Sequence, residues 1–68
     1  MEIKLGIYEH YKGKQYRVLG VAKHSETLED VVVYEALYKN TVSKLWVRPF
    51  EIFVQDVVYE GKAVPRFR

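Results

Sequence analysis

Two histidines flank a segment that could hold a metal ion. His10 and His24 stand at the ends of the stretch HYKGKQYRVLGVAKH, and Glu26 follows two residues later. Imidazole and carboxylate groups are ligands for zinc and related ions. A stable site needs three or four ligands at fixed positions, and the sequence has no compact ligand motif. We therefore favour histidines that hydrogen-bond near turns, and we expect no metal and no cofactor.

The same region has the residue types of a hydrolytic triad, in His24, Ser25 and Glu26. These three residues are consecutive, and neighbouring side chains of an extended chain point in opposite directions. A triad is defined by its geometry and not by a run of residue types. We interpret the segment as a loop in which Ser25 and Thr27 bind local backbone groups. No catalytic residue is assigned, and we expect no enzymatic activity.

Trp46 and Arg48 are the pair best suited to binding. They are two apart on a predicted strand and so share a face, where arginine can stack on tryptophan. With Leu45 and Val47 facing the core, this pair would lie near the surface as a binding hot spot. The alternative, in which Trp46 packs in the core, stays open because a small barrel commonly uses its only tryptophan for packing. The predicted binding face comprises Tyr8, His10, Tyr11, Trp46 and Arg48.

A second candidate surface lies on the first predicted hairpin, where basic and aromatic side chains alternate. Its basic residues are Lys12, Lys14, Arg17 and Lys23. Positive charge for phosphates and rings for bases are what single-stranded nucleic acid requires. An acidic loop over residues 26–30 follows directly, and the net charge is only +2. Nucleic acid therefore ranks below a protein partner.

Length and composition limit the class of protein. The chain has 68 residues, of which 49% are hydrophobic, and no cysteine. This length predicts a single domain over residues 1–68, held together by apolar packing without disulfides. No apolar run is long enough to span a bilayer, and the first residues do not resemble a signal peptide. We expect a cytoplasmic protein that does not bind membranes.

Short strands must position these residues. Val, Ile and Tyr are frequent between sparse turn residues, which is typical of strands. The predicted strands are 6–11, 16–23, 31–38, 45–48 and 54–59. A bulge at Gly20 would place Val21 on the face of Val18. Pro49 favours one helical turn after it, which would bring Phe50 and Phe53 to the same side.

This pattern predicts an all-β fold, a small SH3-like barrel of about five antiparallel strands. Long helical crossovers are absent, which argues against a parallel sheet. A five-stranded oligonucleotide-binding barrel is the competing fold, but residues 39–44 are too few for its usual helix. The last segment, 63–68, is predicted to be a peripheral edge with little order at its end, because Pro65 cannot donate to a ladder.

The order of several motifs resembles a small bacterial family of proteins of unknown function. The motifs are the HYKG turn, the YRVLG strand, the HSET loop, the VVYEALY strand, LWVRP and the final PRF. The resemblance extends from Tyr8 to Phe67. It implies a small β domain and no established activity. The loop KNTVSKLWVRP departs from the family pattern and carries two lysines, so contacts made there are not transferred.

The sequence thus predicts a non-catalytic module that binds an unknown protein or peptide. Single-stranded nucleic acid on the basic hairpin is the alternative, and a metal-dependent enzyme is a distant third. A homodimer is also possible, because both faces of the segment from Val31 to Tyr38 are largely apolar.

Overall fold

In a computed structural model, which describes residues 2–68, the regular elements are antiparallel strands and one short helix. Its elements in chain order are β1 (Gly6–Glu9), β2 (Gln15–Lys23), β3 (Asp30–Ala36), β4 (Leu45–Pro49), α1 (Phe50–Phe53), β5 (Asp56–Tyr59) and β6 (Lys62–Pro65). Strands β1 to β4 form one sheet in sequence order, and β5 and β6 form a hairpin. The predicted all-β, SH3-like barrel is confirmed, as is the single helical turn after Pro49. No helix in this part of the chain could cross a membrane.

The predicted bulge in β2 is present. The register between β2 and β3 shifts between Val18 and Gly20. Val18 then lies opposite Tyr34, and Val21 lies opposite Val32. Since residues two apart on a strand share a face, the extra residue places both valines of β2 on the inner face of the sheet.

The core lies between the inner face of the sheet, α1 and the end of the chain. Its buried members are Val18, Val32, Tyr34, Phe53 and Phe67. The rings of Phe53 and Phe67 stack with centroids 4.0 Å apart. Phe50 packs against this cluster from the other end of α1, as its spacing from Phe53 predicted.

The end of the chain is part of the core, so the prediction of a peripheral segment with little order is wrong. The Glu9 N–H donates to the Arg68 carbonyl at 2.6 Å, and the Arg68 N–H donates to the Glu9 carbonyl at 3.0 Å. Phe67 is only 7% exposed. Pro65 does limit β6, which pairs only with β5. The residues after Pro65 pair with the end of β1, and burial of the Phe67 ring in the core stabilises this position.

The inner and outer faces of β4 are the reverse of those predicted. Trp46 lies opposite Tyr34 and Arg48 lies opposite Val32, so both point to the inner side. Leu45 and Val47, which were expected in the core, are 55% and 62% exposed. Alternation alone defines two faces of a strand without saying which is inside. The register with β3 decides this, and the tryptophan ring and the arginine stem fill more of the inner space.

Candidate functional site

Three of the predicted binding residues come together around Phe67. The His10 ring contacts the Phe67 ring edge-on, with centroids 5.0 Å apart. The Arg48 guanidinium carbon lies 5.5 Å from the centroid of the same ring. Tyr11 adds its ring beside His10, at 4.5 Å between centroids. We call the surface formed by His10, Tyr11, Arg48 and Phe67 the Phe67 face.

Arg48 is the most distinctive side chain of this face. It is half-buried, and its Nε donates to the Tyr34 hydroxyl at 3.3 Å. Within residues 2–68, no ion pair joins Arg48 to a carboxylate. A guanidinium carries five N–H donors, so most of its hydrogen-bonding capacity remains available. A guanidinium that lies over an aromatic ring and has no acidic partner is suited to an anionic ligand.

The pKa of His10 is affected by the basic residues around the Phe67 face. Burial lowers the pKa of His10, and the positive charges of Arg48, Arg66 and Lys12 lower it further. The Lys12 backbone N–H donates to His10 Nδ1 at 3.2 Å, which requires an unprotonated nitrogen. His10 is therefore neutral at pH 7 and lies among cations. Three basic residues therefore act on this face at the position of His10.

The other two predicted binding residues lie outside this group. The Tyr8 hydroxyl donates to the Lys4 carbonyl at 2.7 Å, and the Tyr8 ring packs edge-on against Phe53 at 5.9 Å. Trp46 packs against the core cluster, which agrees with the alternative that its spacing left open. The buried Nε1 of Trp46 has no hydrogen-bond partner among residues 2–68.

Tyrosines extend the Phe67 face toward the first hairpin. Tyr16 contacts Phe67 at 5.6 Å between centroids, and its hydroxyl oxygen lies 2.9 Å from that of Tyr38. Burial raises the pKa of Tyr16, and the hydrogen bond with Tyr38 raises it further. Lys14 Nζ lies 5.0 Å from the Tyr38 ring centroid, and Lys12 Nζ lies 5.8 Å from that of Tyr11. Two lysines and two further tyrosines therefore border the face.

The basic hairpin does not present four unpaired cations. Arg17 forms an ion pair with Glu35 at 3.1 Å. Lys23 pairs with Asp30 at 2.6 Å, and this hydrogen bond lowers the pKa of the Asp30 carboxyl. Each pair joins residues that lie opposite each other in the register of β2 and β3. Arg17 and Lys23 are thus partly neutralised.

Both histidines accept hydrogen bonds from backbone N–H groups through Nδ1. His24 Nδ1 accepts hydrogen bonds from the N–H groups of Glu26 at 3.1 Å and Thr27 at 3.3 Å. Thr27 Oγ1 in turn accepts from the Glu29 N–H at 3.3 Å. These contacts confirm the loop interpretation of His24 and Thr27. Among residues 2–68, no three side chains of His, Asp or Glu are grouped closely enough to hold a metal ion.

Sequence reasoning missed Phe67 and Tyr59. Tyr59 contacts Tyr11 edge-on at 5.2 Å, which brings the β5–β6 hairpin to the border of the Phe67 face. A signal for Phe67 exists in the ending PRFR, which alternates basic and apolar residues with the period of a strand. A barrel also needs its last segment to cover the edge of its first strand.

Comparison with known proteins agrees with this fold. The model of a family described as a protein of unknown function, DUF1653, matches residues 6–68. The chain also resembles the crystal structure of a protein of the same family from Bordetella bronchiseptica. The two are 38% identical with a TM-score of 0.92, over 96% of this chain and 83% of that chain. No curated protein matches significantly. The chain belongs to the DUF1653 family of small β proteins of unknown function.

Proposed function

We propose that the chain is a non-catalytic binding module whose Phe67 face binds an acidic segment of a protein or peptide. The observation that carries this proposal is Arg48, a half-buried residue whose guanidinium lies over the Phe67 ring and forms no ion pair with a carboxylate among residues 2–68. Burying a cation is costly unless it is paired. A bound carboxylate would supply that pair, with two parallel hydrogen bonds.

The surroundings of Arg48 favour the same ligand class. Arg66 and Lys12 add positive charge near His10, which would attract an acidic segment and repel a basic one. The His10 and Tyr11 rings provide apolar area for a side chain next to the carboxylate. An acidic residue beside an aromatic one fits this combination.

An NMR titration of the labelled full chain tests the proposal. The probe is the blocked peptide acetyl-Glu-Phe-Glu-Phe-amide, and its control has glutamine in place of both glutamates. We expect shifts at the amides of His10, Tyr11, Arg48 and Phe67 with the acidic probe only. Arg48→Gln is expected to weaken binding by about tenfold or more, since a hydrogen bond to a charged group contributes about 1.5–3 kcal/mol.

A matched control removes another arginine. Arg17→Gln lies on the outer face of β2, where Glu35 already neutralises its charge, and it is expected to leave probe binding unchanged. Equal binding of the two probes would contradict the proposal. So would an Arg48→Gln variant that keeps its spectrum and its affinity.

Single-stranded nucleic acid remains the second candidate, through Lys12, Lys14, Arg17 and Lys23. The placement of Lys12 and Lys14 beside tyrosine rings favours it, and the pairing of Arg17 and Lys23 with carboxylates disfavours it. Titration with a uridine decamer at low and high salt separates the two candidates. If phosphates are bound, Lys14→Gln is expected to reduce by about 0.7 the slope of the logarithm of the binding constant against the logarithm of the salt concentration. An unmoved spectrum at low salt excludes this candidate.

A further inference from the structure

A cleft of about 460 Å³ lies between the β2–β3 loop and the junction of β4 with α1. Its apolar lining includes Leu28 from the loop, and Phe50 and Ile52 from α1. Glu29 and Glu51 lie at the same cleft. We call the site formed by these five residues the Leu28 cleft. None of them belongs to the Phe67 face.

Two apolar side chains of the cleft are exposed to solvent. Leu28 is 67% exposed and Ile52 is 42% exposed. Phe50 also lines the cleft. It is half-buried and packs against the core cluster. Clustered apolar side chains at a concave site mark binding more often than scattered ones do.

The charge of the cleft is opposite to that of the whole chain. Glu29 and Glu51 take part in no ion pair within residues 2–68. Lys23, the one basic residue in the lining, is paired with Asp30. The described lining carries three carboxylates and one lysine, in a chain whose net charge is +2. Complementary charge requires a ligand with a basic group.

The backbone at Leu28 is held in a conformation that leucine seldom adopts. Its φ is 63°, and its N–H donates to the His24 carbonyl at 2.8 Å. Glycine or asparagine would fit this position with less strain. A strained leucine that is also largely exposed gains little from core packing, so its side chain is better explained by an external contact.

We propose that the Leu28 cleft binds a polypeptide segment in which an aliphatic side chain adjoins a lysine or arginine. The aliphatic group packs between Leu28 and Ile52, and the cation pairs with Glu29 or Glu51. This site goes beyond the proposed function, because it uses other elements and binds the opposite charge. Neither proposal depends on the other.

The test is an amide NMR titration of the full chain with acetyl-Leu-Arg-amide. The control ligands are acetyl-Leu-Glu-amide and acetyl-Gly-Arg-amide, which lack the cation and the aliphatic group. We expect shifts confined to residues 28–30 and 50–52, with weaker binding of both controls. An unmoved cleft, or equal binding of the three ligands, overturns the proposal.

Two variants separate the contributions of charge and apolar contact. The double variant Glu29→Gln, Glu51→Gln is expected to weaken binding by about two- to fivefold for each carboxylate in contact. Glu60→Gln removes one carboxylate at the β5–β6 turn, away from the cleft, and is expected to have no effect. Leu28→Gly relieves the backbone and removes the side chain, so we expect an unchanged or higher melting temperature with weaker binding. Unchanged affinity in both cleft variants overturns the proposal.

Discussion

Replacing Phe67 by alanine is expected to remove much of the stability of this fold, although Phe67 is the second-last residue. Its ring is 7% exposed and stacks on Phe53 at 4.0 Å, and it also contacts Tyr34 at 5.7 Å. Truncating a buried phenylalanine costs about 3–5 kcal/mol. A chain of 68 residues has a free energy of unfolding of roughly 3–10 kcal/mol. The variant should therefore be marginally folded at 25 °C.

Urea unfolding followed by tryptophan fluorescence measures this loss. Phe67→Leu, which keeps an apolar side chain, is expected to be intermediate between the wild type and Phe67→Ala. Val58→Ala is the control, because Val58 is 80% exposed and its truncation should change stability by less than about 0.5 kcal/mol. If Phe67→Ala loses less than about 1 kcal/mol, the end of the chain does not complete the core, and the reasoning from its contacts fails.

Further predictions concern single groups. Arg48→Gln should raise the pKa of His10, which burial and the Arg48 charge hold below 6.5; an NMR titration of the ring measures this, and an unchanged pKa contradicts it. The unfolded chain binds the His10 imidazole proton more readily than the folded chain, because the pKa of His10 is lowered on folding. His10 should therefore make the free energy of unfolding rise with pH up to about 6.5. Urea unfolding at about pH 5 and about pH 7.5 measures this, and His10→Gln should show a smaller rise than the wild type. Trp46→Phe should change stability by less than about 1 kcal/mol in urea, since it removes a buried N–H that has no partner within residues 2–68; a loss above about 2 kcal/mol contradicts this. Glu60→Asn should raise the melting temperature, because Glu60 and Gly61 have φ values of 52° and 78° in a two-residue turn that favours Asn-Gly.

Local patterns were sufficient to predict most of the fold. The β-branched run at Val31 predicts a strand because such side chains pack well on a pleated sheet, and β3 is found at Asp30–Ala36. Gly20 predicts the bulge because strict alternation would leave apolar residues on both faces of β2. Pro49 predicts the short helix because its fixed φ suits the start of a turn. Each of these signals involves only neighbouring residues.

The candidate site depends on contacts between distant parts of the chain, and these could not be derived from neighbouring residues. His10 and Arg48 were predicted as binding residues from their residue types. They lie together because both contact the Phe67 ring, which is distant in sequence. The orientation of β4 was reversed because a strand's two faces are equivalent until its register with a neighbour is known. The acidic partners of Arg17 and Lys23 likewise lie on β3 and follow from register alone.

The two proposed sites meet at one short segment of the chain. Arg48 points inward to the Phe67 face, while Phe50 and Ile52, on the far side of Pro49, line the Leu28 cleft. Pro49 separates the two groups because it ends the strand and begins the helix. Each site repels the ligand of the other, since one is positive and the other negative. A partner carrying both an acidic and a basic segment could occupy both sites at once, and linking them would bind more tightly than either alone. A purely acidic or purely basic partner could occupy only one, so the sign of its charge selects the surface and its apolar side chains set how tightly it binds there.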